Sequence, residues 1–564
     1  MLGSACIAEY IHFTAHRVFT FPGGTVAPIY DELIKIGCPI YTARHEQGAG
    51  YAALACARLS GRPEVVMVTS GPGVTNLLTV LADAFYDSTP LLALTGQVGT
   101  CDFKAPRPVR QKGFQEVNTP ELVRTLVKAV FQPLTPSELP EVLEHAFYLA
   151  AEGRPGPVVI DMPMDVQRGE FSPTHRNAPR RSIPVQLPDM TTTLAAVADS
   201  KKPIILAGQG VLLDQATVAL RDFALRQSIP VVSSLLGLGS MPGDSYLHVG
   251  FVGHTGMQVC GKALQEADCV IVLGARLDVR QSGTLTENFC PEARIIRVDI
   301  DPAELKHPRV RTDIAIQARV IDALAALNTL PHPDINVSAG RISWLEHIRR
   351  LKDAFPVDGP SMAHAGLSGV KVVRCFDRLT QGKKVIVSTG VGTHQHWTAR
   401  HFTFEWPERV LLTSGGHGTM GYDVPSIMGA ALVRPEAISL CFVGDASFQL
   451  NLQELQFAVD YSLPVRIVVL DNSRMALVSQ FQRLTWGRDP VTGCVVNPNF
   501  AAIARAYGYA AETIETESQL EVAVQRCLAT NGPYLLHCRI HNGDDVIPML
   551  LGGQTLDSMY PFAE

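Results

Sequence analysis

An aspartate that closes one apolar run and an asparagine that closes the next are the residues in this chain best placed for chemistry. In GDASFQLNLQELQFAVDYSLPVRIVVLDNS, Asp445 follows the run AISLCFVG and Asn472 follows VRIVVLD. Between them, NLQELQFAV spaces its apolar residues as a helix does. A strand, a crossover helix and a parallel strand bring the carboxyl ends of both strands to one edge of a sheet, so the two side chains converge there. A carboxylate and an amide carbonyl suit a hard octahedral cation that also touches phosphate oxygens. Small residues at Gly444, Ala446 and Ser447 let the backbone approach, and Mg²⁺ holding a diphosphate is the expected occupant. Taken singly, Asp445 could cap a helix through Ser447 and Asn472 could open a turn; their pairing across one βαβ unit favours the cation.

The elements that must carry this edge are readable along the chain. Its 564 residues, 46% of them hydrophobic, can bury several cores. From the N-terminus to about Val166, apolar runs such as EVVMVTS and PLLALTG alternate with helical patterns such as QGAGYAALACARL. A proline-rich stretch, QRGEFSPTHRNAPRRSIPVQLPDM, reads as a linker. A second α/β block runs to about Leu327, and a helical connector leads to a third block containing the opening motif. The expected fold class is α/β, with three domains that each hold a mostly parallel sheet flanked by helices, at 1–168, 185–330 and 365–545, and a tail at 546–564. Three blocks of similar size suggest one core design used three times.

Charge and composition narrow the partners. A formal net charge of −6 with no long block of one sign recommends neither nucleic acid nor an acidic membrane. The twelve cysteines show no C-x-x-C pair or metal spacing, no signal-peptide pattern opens the chain, and the apolar runs fall short of the ~18 residues a membrane span needs. Small-molecule substrates, further copies of the chain and a reducing cytoplasm are expected.

Several phrases together resemble one family, the thiamine-diphosphate (ThDP) enzymes of the acetolactate synthase type: FPGGTVAPIYDEL, RHEQGAGYAA, VTSGPGVTNLLT, DSTPLLALTGQV, GFQEV, GRPGPVVIDMPMDVQ and SGGHGTMGYDVPS, in the family's order and over nearly the whole chain. The resemblance implies a pyrimidine-binding domain, a central FAD-binding-like domain and a diphosphate domain. It implies that Glu46 in ARHEQG activates the cofactor through its aminopyrimidine ring, and that Met420 props the cofactor in its bent form. It also implies that Gly392, Thr393 and His394, with Gly418, Asp445, Ala446, Ser447, Asn472 and Met475, bind ThDP, and that the Arg474 carbonyl completes a Mg²⁺ set with Asp445 and Asn472. Phe114 and Gln115 are implied to line the acceptor site. In the middle domain Gly208, Gly210, Gly274, Arg276 and Arg280 resemble FAD-binding segments; arginines flanking an aspartate could also be a surface ion-pair cluster.

The implied activity is decarboxylation of a 2-keto acid, pyruvate, with transfer of the acyl unit to a second carbonyl compound by a homodimer or homotetramer. Acetyl transfer to a keto-sugar nucleotide and a pyruvate-oxidase-like flavoenzyme are the alternatives. Some positions depart from the biosynthetic synthases. Ala446 replaces a motif glycine, Gly390 and Thr393 stand for an aspartate and a glutamine, Thr255 for a flavin-side histidine, and Phe481 for a tryptophan. An added segment, VGTCDFKAPRPVRQKG, carries Lys104, Arg107, Arg110 and Lys112, which either grip a phosphorylated acceptor or only solvate a loop.

Overall fold

A computed structural model describes residues 1–104, 108–172, 187–357, 366–488 and 495–562. Most of the expected linker, and Arg107, lie outside the described residues. Eighteen strands among them form three six-stranded sheets, and all the strand pairings within these sheets are parallel. Parallel strands need helical crossovers that cover both faces, so their sequences read as continuous apolar runs. Glu64–Val68 and Pro157–Pro163 are accordingly buried at every position.

The first sheet comprises β1 (Val18–Thr20), β2 (Ile40–Thr42), β3 (Glu64–Val68), β4 (Leu91–Gln97), β5 (Ala129–Phe131) and β6 (Pro157–Pro163), in the spatial order β2-β1-β3-β4-β6-β5. The middle sheet comprises β7 (Pro203–Ala207), β8 (Val231–Ser233), β9 (His248–Phe251), β10 (Cys269–Leu273), β11 (Arg294–Asp299) and β12 (Ile314–Gln317), ordered β12-β11-β10-β7-β8-β9. The third comprises β13 (Val385–Thr389), β14 (Arg409–Thr413), β15 (Ile438–Gly444), β16 (Val465–Asp471), β17 (Ala510–Ile514) and β18 (Tyr534–Arg539), ordered β14-β13-β15-β16-β18-β17. The first and third therefore share one winding. The middle has the doubly wound order of dinucleotide-binding sheets, with its reversal between β7 and β10. One design is used twice, not three times.

Two other expectations change. The connector helix, Ile335–Ala354, is part of the middle body. Its buried Arg341 donates to the carbonyls of Ser200, Val197 and Gln227, and Trp344 Nε1 donates to Pro203 O at 3.0 Å. The crossover between β15 and β16 is not one helix: Asp445–Leu450 ends at Asn451 before Leu455–Asp460 begins. Asn451 Nδ2 donates to Gly421 O at 2.7 Å and to Gln47 Oε1 at 3.1 Å, and these bonds outside the helix fix the break.

The first and third domains pack through helices Glu46–Ser60 and Asp423–Val433. Small residues on both helices let their backbones approach, so that a Cβ on Gly429 would overlap Ala52 O, and Cys56 Sγ donates to Gly429 O at 3.2 Å. The C-terminal stretch lies against the middle domain, with Leu550 N donating to His254 O at 2.7 Å and Met559 N to Gln258 Oε1 at 3.0 Å. No described helix is long and apolar enough to cross a membrane.

Candidate active site

The third sheet reverses its winding between β13 and β15, which opens a crevice at their carboxyl ends. Asp445 is the first residue of the helix after β15, and Asn472 directly follows β16, so both expected ligands stand at this edge, almost buried. Asn497, which sequence reasoning missed, joins them: its Nδ2 donates to Asp445 Oδ2 at 2.6 Å and to Asp471 Oδ1 at 2.8 Å. Behind it, fully buried His537 meets Asp471 Oδ2 through Nε2 at 2.8 Å. Burial, with the charge of Asp471 adding to it, raises the Asp445 pKa. At Asp471 burial works in the same direction, yet hydrogen bonds from His537, Asn497 and the Ser473 amide outweigh it and hold that carboxylate low. The Arg474 carbonyl accepts from Ala476 N at 2.9 Å, so one of its two lone-pair directions is taken. Met475 caps the following helix, Ala476–Trp486.

After β13, Gly392 precedes helix Thr393–His401, whose first residues, Thr393 and His394, are buried. Burial holds the His394 imidazole neutral, down to about 3, and its Nε2 has no hydrogen-bond partner among the described residues. Gly390 is small because Asp423 fills the space: a Cβ there would overlap Asp423 Oδ2 and come 2.8 Å from Ser447 Oγ. Ser447 donates to Asp423 at 2.6 Å and accepts from Gly421 N at 2.8 Å. It thereby ties the Met420 loop to the helix bearing Asp445 and Ala446. The glycine-rich part of that loop is held by the first domain, with Gly415 N and Gly416 N donating to Asp87 at 2.9 and 2.7 Å and Ser414 Oγ bonding Asp83. Gly418 is exposed and Met420 half-buried beyond this clamp.

Glu46 opens the helix after β2 at the carboxyl edge of the first sheet, 4% exposed, and accepts from Asn76 Nδ2 at 3.0 Å. Glu454, read from the sequence only as part of a helix, reaches across from the third domain and accepts from Arg44 N at 3.1 Å, just before Glu46. Burial pushes Glu454 up to about 7 against the opposing hydrogen bonds of the Arg44 and His45 amides. Gln115, at φ 64°, abuts Gly71 on the same edge as Asn76, and its neighbour Phe114 is 85% exposed. The described part of the added segment is tied to Glu116, whose carboxylate accepts from Lys104 N at 2.5 Å and Lys112 N at 2.8 Å. Lys104 Nζ donates to Arg110 O at 3.0 Å and Lys112 Nζ to Cys101 O, so both ammonium groups serve the loop itself. Phe481 is half-exposed and meets Trp486 edge-on at 5.5 Å.

A cavity of about 730 Å³ lies at the middle sheet's reversal point and is lined by Gly210, Gly274, Arg276 and Arg280. Gly208 and Gly274 pack backbone against backbone, and a Cβ on Gly208 would overlap Gly274 O. Asp278 caps helix Val279–Ser282 and lies 3.5 Å from Arg276, while Arg280 NH1 donates to His254 Nε2 at 2.8 Å. Since a guanidinium only donates, that imidazole carries its proton on Nδ1. Burial, then Arg280 and Arg400, hold His254 down to about 3.

The chain thus gathers three clusters: Asp445, Asn472, His394 and Met420 around the third edge; Glu46, Gln115 and Phe114 on the first; and the glycines and arginines of the middle cleft. Among the described residues no hydrogen bond or ion pair joins Glu46 to Asp445, Asn472 or Met420. The thiamine pyrophosphate enzyme models match in order, the N-terminal TPP binding domain over residues 1–122, the central domain over 190–327 and the C-terminal TPP binding domain over 390–538. The chain is 36% identical over 547 residues to acetolactate synthase isozyme 2 large subunit of Escherichia coli, covering 96% of each chain. It is 35% identical over 556 residues to the acetolactate synthase large subunit of Lactococcus lactis, covering 96% of this chain and 93% of that one. With the probable acetolactate synthase large subunit of Methanocaldococcus jannaschii it shares 36% over 561 residues, 96% and 92% of the two chains. Three domains in sequence and identity of this extent place the chain among the thiamine-diphosphate-dependent enzymes of the acetolactate synthase family.

Proposed function

We propose that this chain decarboxylates pyruvate and transfers the two-carbon acyl unit to a second carbonyl compound, a small 2-keto acid, using Mg²⁺ with ThDP and a bound FAD. The observation that carries this reading is the third-domain edge. There Asp445 and Asn472 converge, two buried carboxylates share Asn497, and the unpartnered His394 Nε2 lies in the segment after β13. A buried pair of negative groups suits a divalent cation, and a neutral imidazole N–H suits a phosphate oxygen, so the residues fit the cofactor. Asp445, Asn472 and the Arg474 carbonyl would hold the cation. Gly392, Thr393 and His394 receive the diphosphate.

ThDP, when bound, supplies the carbon nucleophile and electron sink that this decarboxylation needs. Glu46 shares a proton with its aminopyrimidine ring, an acid–base task suited to a carboxyl group sheltered from water. Met420, on a loop clamped by Asp83 and Asp87, shapes the cofactor's fold. Phe114 and Gln115 border the acceptor. The ammonium groups of Lys104 and Lys112 are engaged within their own loop, which favours a small keto acid over a phosphorylated sugar.

Among the described residues Glu46 bonds Asn76 and makes no hydrogen bond or ion pair with Asp445, Asn472 or Met420 of its own chain, and two copies would complete each site in a homodimer or dimer of dimers. Exposed apolar side chains beside the site residues, Phe114, Leu450, Val478 and Val496, suit such an interface. FAD fits the middle cleft, whose crowded glycine turn lies at the topological switch point with two arginines in its wall. The described cysteines are free thiols, in keeping with a reducing cytoplasm.

The test is to give the purified protein pyruvate with a panel of keto acids, aldehydes and keto-sugar nucleotides, with and without oxygen, and to identify products by mass. Carbon–carbon coupled products formed without oxygen support the reading. Acetate or acetyl phosphate formed only with oxygen would establish the oxidase instead, and coupling confined to sugar nucleotides would establish the branched-sugar activity.

A further inference from the structure

Thr255 stands where the family resemblance places a flavin-side histidine, and the structure puts another imidazole against it. His396, from helix Thr393–His401 of the third domain, meets Thr255 Oγ1 through Nδ1 at 2.8 Å, although the two residues are 141 positions apart. Its ring packs edge-on against His254 at 5.5 Å, and His254 accepts from Arg280. His396 is 2% exposed and belongs to the wall of the dinucleotide cavity, yet its Nε2 has no hydrogen-bond partner among the described residues. The shared proton with Thr255 sits on one atom or the other, and in either case Nε2 is left over. A buried polar nitrogen without a partner is costly to keep, and this one lies in the wall of a cavity.

We propose that His396 is a direct ligand contact in the middle cleft, its Nε2 hydrogen-bonding a heteroatom of the flavin ring system, with Thr255 as the residue that positions the imidazole. This rests on the reading of the cleft as an FAD site. The glycine turn at Gly208–Gly210 and the Arg276 guanidinium suit the phosphates, while Arg280 is turned to His254 beside His396. The wall that His396 shares with Gln395 and Ser414 comes from the domain carrying the ThDP edge, and it is left for the ring end. Burial, together with the charges around it, holds His396 neutral, so it offers one directed hydrogen bond and no added charge. The position would thus discriminate by hydrogen bonding, where an apolar side chain would discriminate by shape alone.

FAD affinity is the readout, measured by equilibrium titration of deflavinated protein with the flavin fluorescence followed, and the flavin absorption maxima are recorded at saturation. Wild type should bind FAD. His396→Ala should bind it about tenfold more weakly and Thr255→Val about threefold, with the double variant no weaker than His396→Ala, because both changes remove one hydrogen bond. His396→Gln, which keeps a polar end at similar reach, should recover part of the affinity and bind with shifted absorption maxima, and melting curves of each variant establish that it is folded. Equal affinity and an unchanged spectrum in folded His396→Ala would overturn the contact while leaving the FAD reading intact. A wild-type protein that takes up no FAD would overturn both.

Discussion

The first and third sheets are wound in the same order, yet their carboxyl edges carry different side chains. The third edge is dense with polar groups: Asp445, Asn472, Asn497 and Asp471 lie within one network, backed by His537. The first edge offers one acid, Glu46, with Asn76 as its hydrogen-bond partner. On the proposed function a common scaffold provides a binding edge and an activating edge, and the side chains placed at the strand ends decide which is which. The middle sheet, wound differently, has its switch point elsewhere and fits a dinucleotide.

Substitutions on the two edges should separate these roles. Asp445→Ala is expected to abolish ThDP binding at millimolar Mg²⁺, seen by isothermal titration, because cation and diphosphate are held as a unit. Glu46→Gln should keep that binding while turnover of pyruvate falls ~10²-fold or more. If both variants lost binding equally, the division between the edges would fail.

Asn497→Ala should weaken Mg²⁺-dependent ThDP binding by about 10- to 100-fold, since it frees Asp445 from the partner that fixes its orientation. Unchanged affinity would mean that Asp445 is positioned by its helix alone. Glu454 gives a pH signature. Its pKa, about 7 in the folded chain, exceeds the ordinary value of 4.5, so the folded state keeps the proton longer and stability falls as pH rises from 4.5 to about 7. Glu454→Gln should flatten this slope in thermal melts, matching wild type near pH 4 and exceeding it above pH 7. The smallest effect is expected from Lys104→Ala with Lys112→Ala, where KM for keto-acid acceptors should stay within about twofold because exposed contacts of this kind contribute little.

The residues that could be read from the sequence are those at the ends of strands. Asp445 and Asn472 follow apolar runs whose parallel pairing is forced by the crossover between them, so their convergence needs no tertiary knowledge. Asn497 is not legible in that way. It lies 52 residues from Asp445 in an irregular segment, and only the folded path brings its amide between two carboxylates. Glu454 was hidden for a different reason: helical periodicity places it on a crossover but says nothing about the first-domain backbone it caps. His396 follows the segment implied to bind the diphosphate and carries no signal of its own in the sequence; only the fold sets its ring beside Thr255 of the middle domain. Three similar blocks suggested three similar sheets, and the middle winding differs because block size and α/β periodicity do not encode strand order.

The central claim is that the activating edge of one copy serves the binding edge of another. Glu46→Gln and Asp445→Ala subunits, each inactive alone, are mixed and allowed to exchange, and carboligation from pyruvate is measured on the verified mixture. With random pairing half the dimers are mixed and each holds one intact site, so about a quarter of wild-type activity should return. Verified mixed dimers that remain inactive would contradict the account and place both edges of each site within a single chain.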